Sequence, residues 1–382
     1  MTLWKNLAGS RAAEGLANQV ASGEVAHAWL LLGPAGSGKR PAAIAMAAAL
    51  NCRVEPGRGC GECGSCLRIG RRRHPDVHHV VPEGPLIPVD MIRDTVIPEA
   101  NRSPFEGERK VFVIEEAERM NPAAQNALLK TLEEPQPDTV FILISDREEE
   151  LLETIRSRCR IVRMEPVPEE RIIDFLEKEG AQPEWALLSA RLAEGDLERA
   201  RILAFGDEAM ERRRVWTSIP RRLTSPLDAQ DAAAEIVEQA RAAVKAYEQV
   251  QKPEIEELAE AMGERRGTAQ ARNALQKRHK RELRRLEEEV LGEALQSLGG
   301  FYRDVLAARA RGEEGITNLD LLEEIREWAA SDIPDAAFVT AMEKCVDARA
   351  ALLKNANPPL QIEATLVQLT ALVPPQARVG AL

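Results

Sequence analysis

Along the first 165 residues, short runs of aliphatic and β-branched side chains alternate with longer segments of helical period, a pattern that yields a parallel sheet covered by helices. AWLLL (28–32), VHHVV (77–81), KVFVI (110–114), TVFILIS (139–145) and RIVRM (160–164) are the expected strands. Between them Ser10 is placed to cap a helix over 11–22, the Ala-rich segment 39–50 has helical composition, and Asn121 with Pro122 opens a helix that runs through NALLKTLEE. The linker EPVPEE then leads into three short helical patterns at 168–179, 183–193 and 196–205. From about residue 209 strand-like alternation stops and helical period continues to the end. The expected organisation is an α/β domain over 1–165, a three-helix domain over 166–208 and an all-α domain over 209–382.

Within the last region Ile236, Ala240, Ala243, Tyr247 and Val250 recur at spacings of four and three, and Leu283, Leu286, Val290 and Ala294 form a second seam. GERRG (263–267) would fold one arm back on the other, giving a charged helical hairpin over about 230–300. Its segment KRHKRELRR (277–285) carries six Lys and Arg against one Glu. No aromatic residues interleave these charges, so a solvated helical face is preferred to a nucleic-acid patch.

Composition narrows the class. The chain has 382 residues with 44% apolar, 30% charged and only 4% aromatic side chains, a helix-rich mix. Its net charge of -11 argues against a general DNA coat or a binder of anionic membranes. The longest apolar run, Ala42 to Leu50, is half of what a bilayer span needs, and MTLWKNLAGS lacks a secretory core, so no membrane association and a cytoplasmic location are expected.

GPAGSGKR (33–40) follows a hydrophobic strand and opens a helix, the context that gives a G-x-x-x-x-G-K match its meaning. Gly33, Gly36 and Gly38 would let backbone N–H groups curl around phosphate, with Lys39 reaching the outer oxygens. Arg40, however, stands where a Ser or Thr hydroxyl would hold magnesium, and a guanidinium cannot ligate a cation. Pro41 removes an N–H donor at the helix start. Glu115, followed by Glu116, stands at the strand end where Asp is usual, which makes the pair a degenerate magnesium site. ATP binding is therefore expected to be weak or absent and independent catalysis lacking; the bland alternatives are a relic loop and a solvated Glu pair.

Cys52, Cys60, Cys63 and Cys66, at spacings of seven, two and two residues in a Gly-rich segment, suit a tetrahedral zinc ion. Four thiolate ligands leave no open position, so the zinc would be structural, in a module spanning 52–80. His78 and His79 are expected on opposite strand faces, and with His74 are left out of the ligand set. Arg68, Arg71, Arg72 and Arg73 form either a contact for a partner or DNA, or a solvated basic loop. Cys159 and Cys345 suit small buried positions.

HAWLLLGPAGSGK (27–39), the cysteine module, NALLKTLEEP (126–135), FILIS (141–145) and TIRSRCR (154–160) together resemble the clamp-loader branch of the AAA+ superfamily. The likeness covers about 1–210. It implies an AAA+ parallel-sheet domain with an inserted zinc module, a small helical lid, and a helical collar used for oligomerisation. Ser157, Arg158 and Cys159 match the family's SRC motif, whose Arg acts in trans on ATP held by a neighbouring subunit; the residues alone suggest only a surface ion pair. The lid places Glu198 where active relatives carry Arg, with Arg199 one step later. Arg40, Pro41 and Glu115 place the chain with family members that lack nucleotide chemistry. The implied role is a stator in the DNA polymerase III holoenzyme. It would sit in a hetero-pentamer with the tau/gamma ATPase and delta subunits and help load the sliding clamp onto primed DNA. The rival readings are an active ATPase motor subunit and a zinc-dependent nucleic-acid-binding adaptor using the Arg loop and 277–285.

Overall fold

Ser10 starts helix α1 (Arg11–Ala21): its hydroxyl accepts the Ala13 N–H at 3.3 Å, satisfying a donor that the first turn leaves open. The chain then enters β1 (Ala28–Leu32), buried along its whole length, and turns at Gly38 into α2 (Lys39–Asn51). The small side chains of α2 are buried almost all round it, which lets it lie close against the sheet. The cysteine segment contributes α3 (Gly64–Gly70) and leads into β2 (Val77–Val80). Next come α4 (Val89–Met91), a π-helical turn (Ile92–Val96), α5 (Ile97–Ala100) and β3 (Lys110–Ile114). Asn121 caps α6 (Pro122–Glu133) by accepting the Ala124 N–H at 2.8 Å. β4 (Thr139–Ser145), α7 (Glu153–Arg156) and β5 (Arg160–Arg163) complete the sheet domain.

In this computed structural model the described residues are 3–7, 9–82, 84, 86–262, 268–353 and 356–373. The five strands are all parallel, in the order β2-β3-β4-β1-β5. Alternate residues feed two cores. Trp29, Leu31, Val111, Val113 and Ile142 pack on one face with α1 and α2, and Leu30, Phe112, Ile114, Phe141 and Leu143 pack on the other with α6. His78 stacks on Phe112 at 4.8 Å, and His79, on the opposite face, points toward Glu115. Gly33, Glu115 and Asp146 each follow the last residue of a strand, so they meet at the carboxyl edge of the sheet, where open α/β sheets bind ligands. Helices α8 (Glu169–Lys178), α9 (Pro183–Ala193) and α10 (Leu197–Phe205) surround their own apolar cluster, centred on Ile172, Leu176, Ala186 and Ala200. All of this forms one compact unit, Met1–Gly206; a second is Asp207–Leu382.

The second unit contains α11 (Asp207–Arg222), α12 (Pro226–Met262), α13 (Thr268–Arg311), α14 (Leu322–Ala329), α15 (Asp335–Leu353) and α16 (Pro358–Leu372). Its core joins Ile236 and Ala240 of α12 to Val290, Ala294 and Phe301 of α13, with Trp328 meeting Phe301 edge-on at 5.1 Å. The expected α12 seam changes character beyond Ala243. Tyr247 and Val250 are 41% and 68% exposed, and the buried positions are polar. Gln251 donates to Glu282 at 2.6 Å and His279 meets Glu254 at 2.8 Å. Apolar period alone could not reveal this, because these polar side chains are buried through bonds to one another. The GERRG turn lies outside the described residues. Within the basic segment Arg278 pairs with Glu254, Arg284 with Glu288 at 3.0 Å and Arg285 with Glu289 at 3.1 Å.

A buried polar network ties α11 and α13 to the segment before α14. Asp304 is fully buried; one carboxylate oxygen accepts the N–H groups of Thr317 and Asn318 and the Asn318 side-chain amide at 2.7–3.0 Å, and the other accepts from Arg303. Arg213 donates to Asn318 at 2.6 Å and to Asp320 at 2.9 Å. Deleting the Asp304 carboxylate leaves these buried donors without their acceptor. Asp304→Ala is therefore expected to lower stability by about 3 kcal/mol in denaturant unfolding of the full chain; a loss below about 1 kcal/mol would show that apolar packing holds this segment instead.

Candidate functional site

The phosphate-type loop is occupied by its own side chains. Lys39 is 6% exposed, and its Nζ donates to the carbonyls of Gly33 and Pro34 at 2.7 and 2.6 Å and to Ser37 Oγ at 3.3 Å, while Asp146 Oδ1 lies 2.9 Å away. An ammonium group has only three donors, so these partners saturate it. One residue on, Arg40 Nε donates to Glu115 Oε2 at 2.6 Å. Arg72, just past the end of α3, approaches Glu115 Oε1 at 3.1 Å. The two positions that break the nucleotide-binding pattern, 40 and 115, are thus partners of each other, and a guanidinium lies where magnesium chemistry would need an open carboxylate.

The three-helix segment closes the loop from above. Asp196 caps α10 by accepting the Arg199 N–H at 3.0 Å. Gly36, with φ of 80°, lies so near Asp196 that a Cβ added there would meet the Asp196 Cβ at 2.9 Å. The Glu198 carboxyl is held above its usual pKa, first by desolvation and then by Asp196, against the opposing pull of Arg40, Arg72 and Arg201. Glu116 does not join Glu115. It takes the left-handed conformation, φ 52°, and its carboxylate accepts from Arg119 at 2.7 Å.

All four cysteines of the cluster converge, with their Sγ atoms within 4.8 Å of one another. The Cys52–Cys63 and Cys60–Cys66 sulfurs are 3.9 Å apart, close to the ~3.8 Å that tetrahedral zinc with ~2.3 Å bonds requires. The N–H groups of Glu55 and Cys60 point at Cys52 Sγ at 3.3 and 3.4 Å, and that of Cys63 at Cys60 Sγ at 3.3 Å. Burial raises the Cys52 thiol, but the Cys60 and Glu55 N–H groups, together with the neighbouring Cys60 and Cys66 thiols, outweigh it and bring it down to about 7. Cys66 goes the other way, raised by burial. The backbone is arranged to carry thiolate charge, and the cluster could hold a metal ion. Gly59, with φ of 72°, lets the intervening loop turn against Ala49, whose N a Cβ would meet at 3.0 Å. His74 stays outside the cluster: its Nδ1 accepts the Asp76 N–H at 3.2 Å.

Arg158 lies far along the chain from these groups, just after α7. One third of its side chain is exposed; it donates to Thr154 O at 2.9 Å and pairs with Glu133. Ser157 Oγ donates to Thr154 O at 3.2 Å, and burial pushes the partly buried Cys159 thiol up to about 12. The fully buried Cys345 is raised likewise.

Sequence reasoning missed Asp146, Asp196 and the role of Arg72. Asp146 had a signal, since it directly follows a strand at the ligand-binding edge; Arg72 was hidden among four arginines of one loop. Asp76 was also missed. It is 1% exposed, and its carboxylate accepts the N–H groups of Phe105, Glu106 and Gly107 at 2.6, 2.9 and 2.7 Å, fixing the loop that enters β3.

The described residues thus combine a parallel sheet, a phosphate-type loop after β1, three packed helices over 169–205 and the Ser157-Arg158-Cys159 segment. Residues 9–168 match the family model described as DNA polymerase III, delta subunit. The chain is similar to the DNA polymerase III subunit delta' of Bacillus subtilis, 34% identical over 198 residues, covering 52% of this chain and 60% of the relative. It is 48% identical to that of Pseudomonas aeruginosa over 137 residues, covering 35% and 42% of the two chains. The Escherichia coli DNA polymerase III subunit tau is 33% identical over 202 residues, covering 51% of this chain and 31% of tau. The chain spans about half the length of the curated delta' relatives it matches. Among the described residues no helix is long and apolar enough to cross a membrane.

Burial raises the Asp76 carboxyl, but its three backbone donors pull it below the usual carboxylate range. A depressed carboxyl contributes stability above its unfolded pKa of about 3.9 and loses it as pH falls through the folded value. Asp76→Asn should therefore cost about 1–2 kcal/mol at pH 7, with the gap to wild type closing below about pH 4. Parallel unfolding curves at pH 7 and pH 3 test this; a gap that is the same at both would mean the carboxylate charge is irrelevant.

Proposed function

We propose that this chain is a delta'-type stator of a DNA polymerase III clamp loader, a subunit that contributes geometry and one arginine rather than ATP hydrolysis. The observation that carries the reading is the mutual pairing of Arg40 and Glu115 beside a saturated Lys39. A magnesium nucleotide would have to break these bonds before forming its own, so the chain's own site has weak or no ATP binding. The similarity to both delta' and tau chains supports a clamp-loader setting. In that setting the second unit is the collar, the neighbours are the tau/gamma ATPase and delta subunits in a hetero-pentamer, and the sliding clamp and primed DNA are met through the complex.

In this reading Arg158 completes ATP sites outside this chain. Its guanidinium is partly exposed and held by Glu133, itself half exposed, a surface pairing worth little in water. A phosphate group from a neighbour would offer a stronger, planar, charge-assisted partner. Removing such an arginine costs about 10³–10⁵ in rate in well-studied NTPases. The cysteine cluster would hold a structural zinc ion, whose chemistry is to cross-link the loop between α2 and β2.

The reading is tested by DNA- and clamp-stimulated ATP hydrolysis in the reconstituted loader, with substitutions in this chain alone. Arg158→Ala should cut turnover at the neighbouring site by at least about a hundredfold, and Lys39→Ala should leave it within about twofold of wild type. The reverse pattern would make this chain a motor. For the metal, the purified chain should carry about one zinc ion by elemental analysis, and Cys66→Ser should lose it; zinc retained in that variant would remove Cys66 from the ligand set.

A further inference from the structure

We infer that Arg72 is a built-in ligand of the degenerate nucleotide site, delivered to Glu115 by the cysteine module in the place of a nucleotide-bound divalent cation. The inference deepens the nucleotide-silent part of the proposed function and rests on it. Three observations lead to it.

The first is the local backbone. Helix α3 ends when the Arg73 N–H reaches Arg68 O at 2.7 Å and the Arg72 N–H reaches Ile69 O at 2.9 Å, which puts Arg72 in the left-handed conformation with φ of 56°. That position of a helix end is ordinarily glycine, because any Cβ there is strained. An arginine satisfies the turn less well than glycine would, so the side chain has its own use.

The second is where that side chain goes. Its guanidinium lies 3.1 Å from Glu115 Oε1, while Arg40 holds Oε2 at 2.6 Å and His79 Nδ1 stands 3.9 Å from Oε1. The Glu115 side chain is 2% exposed, so its charge is matched almost entirely by protein groups. Arg40 and Arg72 also face Glu198. Two guanidinium groups against two carboxylates form a balanced cluster with no call for magnesium or phosphate.

The third is how Arg72 is carried there. Cys63 caps α3, its Sγ facing the Cys66 N–H, and Cys66 lies in the first turn. The seven-residue helix therefore starts inside the sulfur cluster and ends at the turn that aims Arg72. A metal ion that fixes Cys63 and Cys66 fixes the near end of this lever, and the helix transmits that position to Glu115.

Hydrogen exchange in the zinc-loaded full chain tests this independently of loader turnover, so either idea can fail alone. Arg72→Gly keeps the left-handed turn and deletes only the guanidinium. It should speed exchange of the amides in the 114–120 turn about tenfold, with β4 unchanged as the control for folding. Stripping zinc from wild type with a chelator should loosen the same amides, and stripping it from Arg72→Gly should add nothing further. Unchanged exchange at 114–120 in Arg72→Gly overturns the inference. So does chelation that loosens this turn equally with and without Arg72, or that loosens β4 as much as the turn.

Discussion

A carboxylate taken out of water must be compensated, and Glu115 is the place in the first unit where that requirement organises everything around it. Its two oxygens are shared between Arg40, at the start of α2, and Arg72, at the end of α3. The phosphate-type loop, the sheet edge and the cysteine module are therefore held by one charge. The loop keeps the glycine spacing of a nucleotide site, yet its lysine is bound to the loop's own carbonyls and its helix start carries a guanidinium bonded to Glu115. Such a site has its charges matched without a nucleotide.

The second unit solves a related problem with the same chemistry. Asp304 is fully buried and holds a loop through three amide donors, and Arg213 holds that loop from another helix. Along α12 and α13 the apolar seam gives way to Gln251, Glu254, His279 and Glu282, which bond to one another. A polar layer of this kind contributes less to stability than an apolar one but admits fewer registers, so it specifies how two long helices align. The same layer takes in Arg278 through Glu254, while Arg284 and Arg285 pair along α13 with Glu288 and Glu289.

The elements and much of the site were legible before any coordinates. Observed strand and helix limits fall within a residue of the expected ones at 11–21, 77–80 and 160–163, because caps and strand periods are local signals. The short helices α3, α4 and α5 were not foreseen; segments of three to seven residues carry too few turns for a period to show. The departures at Arg40 and Glu115 were visible as broken rules, but not that they answer each other. Glu116 was grouped with Glu115 by adjacency, and a single left-handed residue sends it to Arg119 instead.

The amino-acid sequence by itself determined the order of strands and helices, the glycine spacing of the phosphate loop, the four-cysteine module and the clamp-loader resemblance. The elements, the loop and the cysteine module depend on residues a few positions apart, where backbone geometry leaves little choice, and the resemblance on several such local blocks. Only the tertiary structure decided which partner each charge takes. Arg40 and Glu115 are 75 positions apart and meet because β1 and β3 end at the same edge of the sheet. Ion pairing depends on distance in space, and in a parallel sheet the strand order sets that distance, so no local pattern could have named Arg72 as the third member of the cluster.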